Sequence, residues 1–282
     1  MTRMKIPFLK MQGIGNDFIV IDDLGKNLIS SIPLDSKKAI QLCDRRFGIG
    51  ADQILWLKNP IQDLSADARM EILNSDGTTA EMCGNGIRAV GVYLFKYGPK
   101  PGQKFYRVET LAGVKGVEIT PSSDSLSVTV DMGSPILGGG FPSSGEELSV
   151  LGKTLRFFEV SMGNPHAVFF VENVEKVELE KIGPEIEKHP RFPKKTNVEF
   201  VQVMGENAIQ VRVWERGAGI TLACGTGACA SAVATLATSR ASTKRELAVN
   251  LPGGQLQIGW NGQSSGSVMM RGPAEEVFRG EY

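Results

Sequence analysis

One short phrase occurs twice in this chain. Glu81-Met82-Cys83-Gly84-Asn85-Gly86-Ile87-Arg88 is answered, 141 positions later, by Leu222-Ala223-Cys224-Gly225-Thr226-Gly227-Ala228-Cys229. A repeat at that distance in 282 residues calls for one α+β unit built twice, as two domains of similar size. Each copy puts a thiol at the start of a Gly-x-Gly turn that opens a helical run. Unpaired backbone N–H groups and the helix dipole favour negative charge there and lower a cysteine's pKa. Two such thiols need a joint explanation, and a proton moved from one face of a carbon to the other supplies it.

The rest of the chain keeps the same register. Gly13-Ile14-Gly15-Asn16-Asp17 turns into a strand at Phe18–Ile21, and Gly163-Asn164-Pro165-His166 leads into a second at Ala167–Phe170. Asp35 reads as the N-cap of a helix to Arg46, answered by a charged helical stretch from Glu178 to Lys188. Strands at Gln53–Leu57 and Arg69–Leu73 are matched by Val198–Val203 and Ala208–Trp214. Asn74 stands nine positions before Cys83, and Glu215-Arg216 begins nine positions before Cys224. Further strands are expected at Phe105–Glu109, Val114–Ile119, Leu126–Asp131, Leu247–Leu251, Gln255–Ile258 and Val268–Arg271. Gly138 to Gly145 reads as an exposed connection. One domain is expected to span 1–123 plus 270–282 and carry Cys83, the other to span 124–269 and carry Cys224.

Composition narrows the function. Lys and Arg together number 31, as do Asp and Glu, which gives no net-charge reason to expect nucleic acid or an anionic membrane. A small-molecule substrate is the expected partner. Met1 to Lys5 lacks the apolar core of a signal peptide and no run of about 18 apolar residues occurs, which points to the cytoplasm. The four cysteines, Cys43, Cys83, Cys224 and Cys229, show no CxxC spacing, so free thiols are expected, with no metal. Cys43 reads as core.

Two other classes fit parts of this pattern. Both glycine turns match the loose GxGxxG/A form of a nucleotide-binding loop, but Thr78-Thr79-Ala80-Glu81 stands where an apolar parallel strand should precede it. A dithiol redox pair would need the two cysteines within about 7 Å at Cα, which sequence leaves open.

Five ordered motifs together carry a resemblance: Gly13-Ile14-Gly15-Asn16-Asp17-Phe18, Glu81 to Gly86, Gly163 to His166, Thr196-Asn197-Val198-Glu199-Phe200, and Glu215-Arg216-Gly217 through Gly227. The sequence resembles the diaminopimelate epimerase family of cofactor-independent isomerases over nearly its whole length. Ile220 departs from the polar or acidic residue expected in the family's run. The resemblance implies two pseudo-symmetric domains, each a curved, mainly antiparallel sheet wrapped around a central helix, and a homodimer with no cofactor. It implies epimerisation of LL-2,6-diaminopimelate to the meso isomer, on the route to lysine and peptidoglycan precursors. Carried over by motif, Cys83 resembles the proton donor and Cys224 the acceptor. Gly84, Asn85, Gly225 and Thr226 correspond to the turns that hold the reacting carboxylate. Asn16, Gln53, Asn74, Asn164, Asn197, Glu215 and Arg216 correspond to substrate-binding positions, with His166 and Glu215 tuning the thiols. Another cofactor-independent racemase, of the proline type, would share the thiols but not the clamp for a distant amino acid group.

Overall fold

The computed structural model describes residues 5–25, 34–123, 125–139, 141, 144–242 and 246–282. Met1 to Met4 and three residues of the expected connection, Gly140, Pro142 and Ser143, lie outside that set. The chain divides into two compact units, residues 1–130 with 272–282, and residues 131–271.

The first unit runs β1 (Pro7–Gly13), β2 (Asn16–Asp22), α1 (Ser36–Cys43), β3 (Gln53–Lys58), β4 (Ala68–Asn74), β5 (Thr79–Ala80), α2 (Gly84–Tyr97), β6 (Phe105–Thr110), β7 (Gly113–Pro121) and β8 (Leu126–Asp131). The second runs β9 (Ile136–Leu137), β10 (Glu146–Val150), β11 (Lys153–Ser161), β12 (Pro165–Phe170), α3 (Leu179–Glu187), β13 (Asn197–Val203), β14 (Ala208–Glu215), β15 (Gly219–Ile220), α4 (Gly225–Ala237), β16 (Leu247–Leu251), β17 (Gly254–Gly259) and β18 (Met269–Pro273). β19 (Glu275–Glu281) then returns to the first unit and pairs antiparallel with β1. The first unit extends beyond Ser123 because β8 is bound along β7, from Val117 opposite Val130 to Pro121 opposite Leu126.

The pairing pattern is the same in both units. β2 lies parallel to β3, β3 antiparallel to β4 and β4 parallel to β6; β12 lies parallel to β13, β13 antiparallel to β14 and β14 parallel to β16. Each parallel step is bridged by a helix, as a crossover requires. Helix α2 touches β19, β1 and β2 toward one end of its sheet and β6 and β7 toward the other, so the sheet curls around it. In the second unit α4 touches β11 to β14 and also β16 and β17.

A helix enclosed by a sheet must be apolar or small, or have its polar groups hydrogen-bonded, as Arg88 Nη1 is to Asn85 Oδ1 in α2. From Gly84 to Leu94 every residue of α2 is buried, and α4 is built from Gly, Ala, Ser, Cys, Val and Thr over most of its length. At Gly91 a Cβ would stand 2.7 Å from Val117 Cγ1 and 3.1 Å from Ile119 Cδ1. Gly91→Val is therefore expected to destabilise the protein by about 1–3 kcal/mol, the usual cost of overpacking. An unchanged urea midpoint would contradict that packing.

Local chemistry sets the element ends. Asp35 Oδ1 accepts the Lys38 N–H at 2.8 Å and starts α1. The helix stops at Cys43, short of the expected Arg46, because Asp44 Oδ1 takes the N–H groups of both Arg46 and Phe47 at 2.7 Å. Between β1 and β2, Ile14 at φ 49° and Gly15 at φ 88° form a two-residue hairpin of the primed type. That turn delivers Asn16 to the start of β2. Among the described residues no helix is long and apolar enough to cross a membrane.

Candidate active site

Cys83 and Cys224 occupy the same structural position, the N-cap of α2 and of α4. Both have extended backbones, φ −134° and −120°, and both sulfurs accept the N–H three residues on: Gly86 N to Cys83 Sγ at 3.3 Å, Gly227 N to Cys224 Sγ at 3.4 Å. The approach leaves little room for a side chain at either glycine, least at Gly227. A Cβ on Gly86 would lie 3.4 Å from Cys83 Sγ, and one on Gly227 3.2 Å from Cys224 Sγ and 2.8 Å from Glu199 Oε1. The remaining N–H groups of each first turn are the positive end of a helix, suited to an anion.

Around Cys83 the first unit gathers amides. Asn16 Oδ1 lies 3.7 Å from Cys83 Sγ and 3.4 Å from Asn85 Nδ2. Gln53 Nε2 donates to Asn74 Oδ1 at 2.9 Å, because β3 and β4 put these residues directly opposite one another. Asn74 Nδ2 in turn donates to Thr78 Oγ1 at 2.9 Å, within the turn leading to β5. Gln53 Oε1 is buried with no hydrogen-bond partner among the described residues. An ammonium or amide donor from a ligand would satisfy it.

The second unit surrounds Cys224 with ionisable groups instead. Cys224 is 5% exposed, and its sulfur lies 3.6 Å from Thr226 Oγ1. Asn164 Nδ2 donates to Thr226 Oγ1 at 3.3 Å, so Asn164 turns its Oδ1 to His166 Nε2 at 3.0 Å. The other ring nitrogen, Nδ1, lies 2.7 Å from Glu199 Oε1. Glu215 Oε1 accepts the Thr221 hydroxyl, and its carboxyl is near enough to the Cys224 thiol to act on it electrostatically. Asn197 Nδ2 donates to the Pro165 carbonyl at 3.0 Å and its Oδ1 accepts the Arg216 N–H at 2.9 Å, which anchors the backbone where Arg216 leaves β14. The Arg216 side chain is exposed.

The two thiols thus differ in setting. Burial, followed by the nearby Glu215 and Glu199 carboxylates, pushes the Cys224 thiol well above its ordinary range. Burial also raises the carboxyls of Glu215 and Glu199, the latter against the pull of His166. The helix N-terminus alone would lower a thiol, and for Cys224 desolvation outweighs it.

Glu199 is the residue that sequence reading passed over as a site member. Glu199 and His166 are both 0% exposed, and Glu199 Oε2 has no hydrogen-bond partner among the described residues. The available signal was a carboxylate in the middle of the apolar run Val198-Glu199-Phe200-Val201, where burial requires a partner.

Comparison with known proteins gives the lineage of the chain. The family model described as diaminopimelate epimerase matches residues 8–138 and 158–277. The diaminopimelate epimerase of Carboxydothermus hydrogenoformans is 50% identical over 98% of both chains, and that of Desulfitobacterium hafniense 47% identical over 96% of both. Among solved structures, a hydroxyproline epimerase from Agrobacterium vitis superposes with a TM-score of 0.75 at 17% identity, covering 99% of this chain and 91% of that one. A Bacillus anthracis phenazine biosynthesis protein of the PhzF family gives 0.73 at 15%, covering 99% of each. Those two likenesses speak to the fold alone, whereas a family model over most of the chain and identity near one half over nearly its whole length decide the lineage: the chain belongs to the diaminopimelate epimerase family.

Proposed function

We propose that this isomerase epimerises LL-2,6-diaminopimelate to the meso form by a two-base proton exchange, with Cys224 taking the α-proton and Cys83 supplying one to the opposite face. The observation that carries the reading is the repeated N-cap thiol, each sulfur bound by a glycine N–H at the start of a buried helix. The reading extends to a cytoplasmic homodimer that works without a cofactor in lysine and peptidoglycan precursor synthesis.

An α-proton is a poor acid, so its removal needs donors placed where carboxylate charge builds up and a base at contact distance in a dry site. The first-turn N–H groups of Gly84-Asn85 and Gly225-Thr226 are the donors in this reading. Asn16, Gln53, Asn74, Asn164, Asn197, Glu215 and Arg216 bind substrate, with the Arg216 fork taking the distant carboxylate. Glu215 and His166 set the protonation of Cys224. The buried carboxylates account for a base that is weakly populated at rest and strong once formed.

That state has a pH signature. With the Cys224 thiol held above its ordinary range, the fraction ionised rises with pH. The kcat/KM for LL-diaminopimelate is expected to climb by roughly tenfold per pH unit while that thiol remains mostly protonated. A profile flat from pH 6 upward would contradict the assignment of Cys224 as base. The substrate itself is tested by offering LL-diaminopimelate and L-proline to one purified sample. Inversion of the former alone is expected, and inversion of proline alone would replace this reading with a proline-type racemase.

A further inference from the structure

A chain of hydrogen bonds with a determinate direction runs beneath Cys83. Asp52 Oδ2 accepts from Asn16 Nδ2 at 2.8 Å and from the Asp17 N–H at 3.2 Å, while Asp52 Oδ1 accepts from Arg45 Nη2 at 2.7 Å. Asp17 is held from the same side: Arg45 Nη1 donates to it at 2.9 Å, Lys10 Nζ at 2.6 Å, and its own Oδ1 accepts the Asp52 N–H at 3.0 Å. Burial pushes the Asp17 carboxyl up, but its bonds from Arg45 and Lys10 hold it well below the usual carboxylate range.

An ionised carboxylate only accepts hydrogen bonds and a guanidinium only donates them. Bonded to Asp52, Asn16 must turn its NH2 inward and its Oδ1 outward, toward Cys83 Sγ and Asn85. The second amide is fixed independently. Arg88 Nη1 donates to Asn85 Oδ1 at 2.9 Å, so Asn85 must offer its NH2 to Asn16. The two outward ends are complementary, which settles an amide orientation that geometry alone leaves ambiguous.

We propose that Asp52 is a positioning residue for the proton exchange: by fixing the Asn16 carbonyl oxygen toward Cys83, it keeps that sulfur protonated between turnovers. A carbonyl oxygen beside sulfur is satisfied by S–H and repelled by a thiolate, and it opposes the pull of the α2 N-terminus. The proposal rests on the reading of Cys83 as proton donor. The charged and titratable groups nearest this chain of bonds are Lys10 from β1, Asp17 from β2, Cys43 from α1, Arg45 after it, Asp52 before β3, and Glu81 and Arg88 on either side of Cys83; the same elements also carry Asp22 (β2), Lys37 and Lys38 (α1), Lys58 (β3), and Tyr93, Lys96 and Tyr97 (α2).

The test is the pH dependence of Cys83 alkylation by iodoacetamide, read peptide by peptide by mass spectrometry in the full-length protein without substrate. It does not depend on epimerase activity, so it can fail while the proposed function stands, and the reverse. With Asp52→Asn the Asn16 amide is free to turn its NH2 to the sulfur, and the midpoint is expected to fall by about one pH unit, roughly tenfold more thiolate at a fixed pH. Asn16→Ala removes the carbonyl and is expected to lower the midpoint too. Adding Asp52→Asn to Asn16→Ala should then produce no further fall, because Asp52 acts through Asn16. An unmoved midpoint in Asp52→Asn overturns the proposal. So does a fall that persists in full on the Asn16→Ala background, which would mean a bare charge effect. If Asp52→Asn fails to fold, Asn16→Ala decides alone: an unchanged or raised midpoint refutes it.

Discussion

Replacing either Cys83 or Cys224 by alanine is expected to lower epimerase turnover by about 10²–10⁴-fold, the usual weight of a general acid or base, with the fold intact. Each sulfur serves one face of the α-carbon in this reading, so neither can stand in for the other. The fold should survive because the N–H bonds by which the thiols cap their helices are long, 3.3 and 3.4 Å, and so weak. Cys43→Ala and Cys229→Ala are the controls and are expected to leave turnover nearly unchanged. Burial, foremost among several influences, pushes the Cys43 thiol up to about 11, so it is neutral and inert at working pH. Cys229 is fully buried within α4. A Cys224→Ala protein with native circular dichroism and more than about a tenth of normal turnover, a barrier change under ~1.4 kcal/mol, would remove Cys224 from the chemistry.

The largest stability effect is expected at Glu199. His166 is held at both ring nitrogens, Nε2 at 3.0 Å from Asn164 Oδ1 and Nδ1 at 2.7 Å from Glu199 Oε1. Glu199→Ala strips that partner from a fully buried ring and leaves a cavity. A loss of about 3–5 kcal/mol is expected, the range for breaking a buried pair from one side. Glu199→Gln keeps a donor for Nδ1 and should lose far less. Thermal unfolding of the two variants measures the difference: for a protein of this size Glu199→Ala should melt roughly 10 °C lower. Equal melting temperatures would show that the His166–Glu199 contact carries no net weight.

Much of the architecture was legible because the repeat is local chemistry written twice. A cysteine followed by Gly-x-Gly and a run of small or apolar residues defines an N-cap and a buried helix without reference to the rest of the chain, and both copies fold that way. The strand pair before each copy was readable from its apolar alternation and the turn that ends it. β1, β10, β11 and β19 were not. β1 contains Lys10, which looks like a surface residue and is buried against Asp17 and the Gly50 carbonyl, a pairing that no local pattern reveals. β19 is largely exposed and exists through its register with β1, at the other end of the sequence. The amide and carboxylate positions named from the motifs lie together within their own units: Asn16 with Cys83 and Asn85, Gln53 with Asn74, and Asn164 with His166 and Thr226. Glu199 escaped because a strand's alternation says which face a side chain takes, and not that a histidine on the neighbouring parallel strand will meet it there.

The central claim, two monoprotic bases, is tested most directly by the fate of the proton in heavy water. A thiolate that takes the α-proton of LL-diaminopimelate holds it on the face it left, while the other cysteine, equilibrated with solvent, delivers deuterium to the opposite face. Proton NMR of both isomers during the first few per cent of reaction should therefore show deuterium at the inverted carbon of the meso product from the first turnover, with the remaining LL substrate still largely protonated. A single polyprotic base, such as a lysine, could carry the original proton across. Substantial protium retained at the inverted carbon of the product would contradict the two-cysteine mechanism.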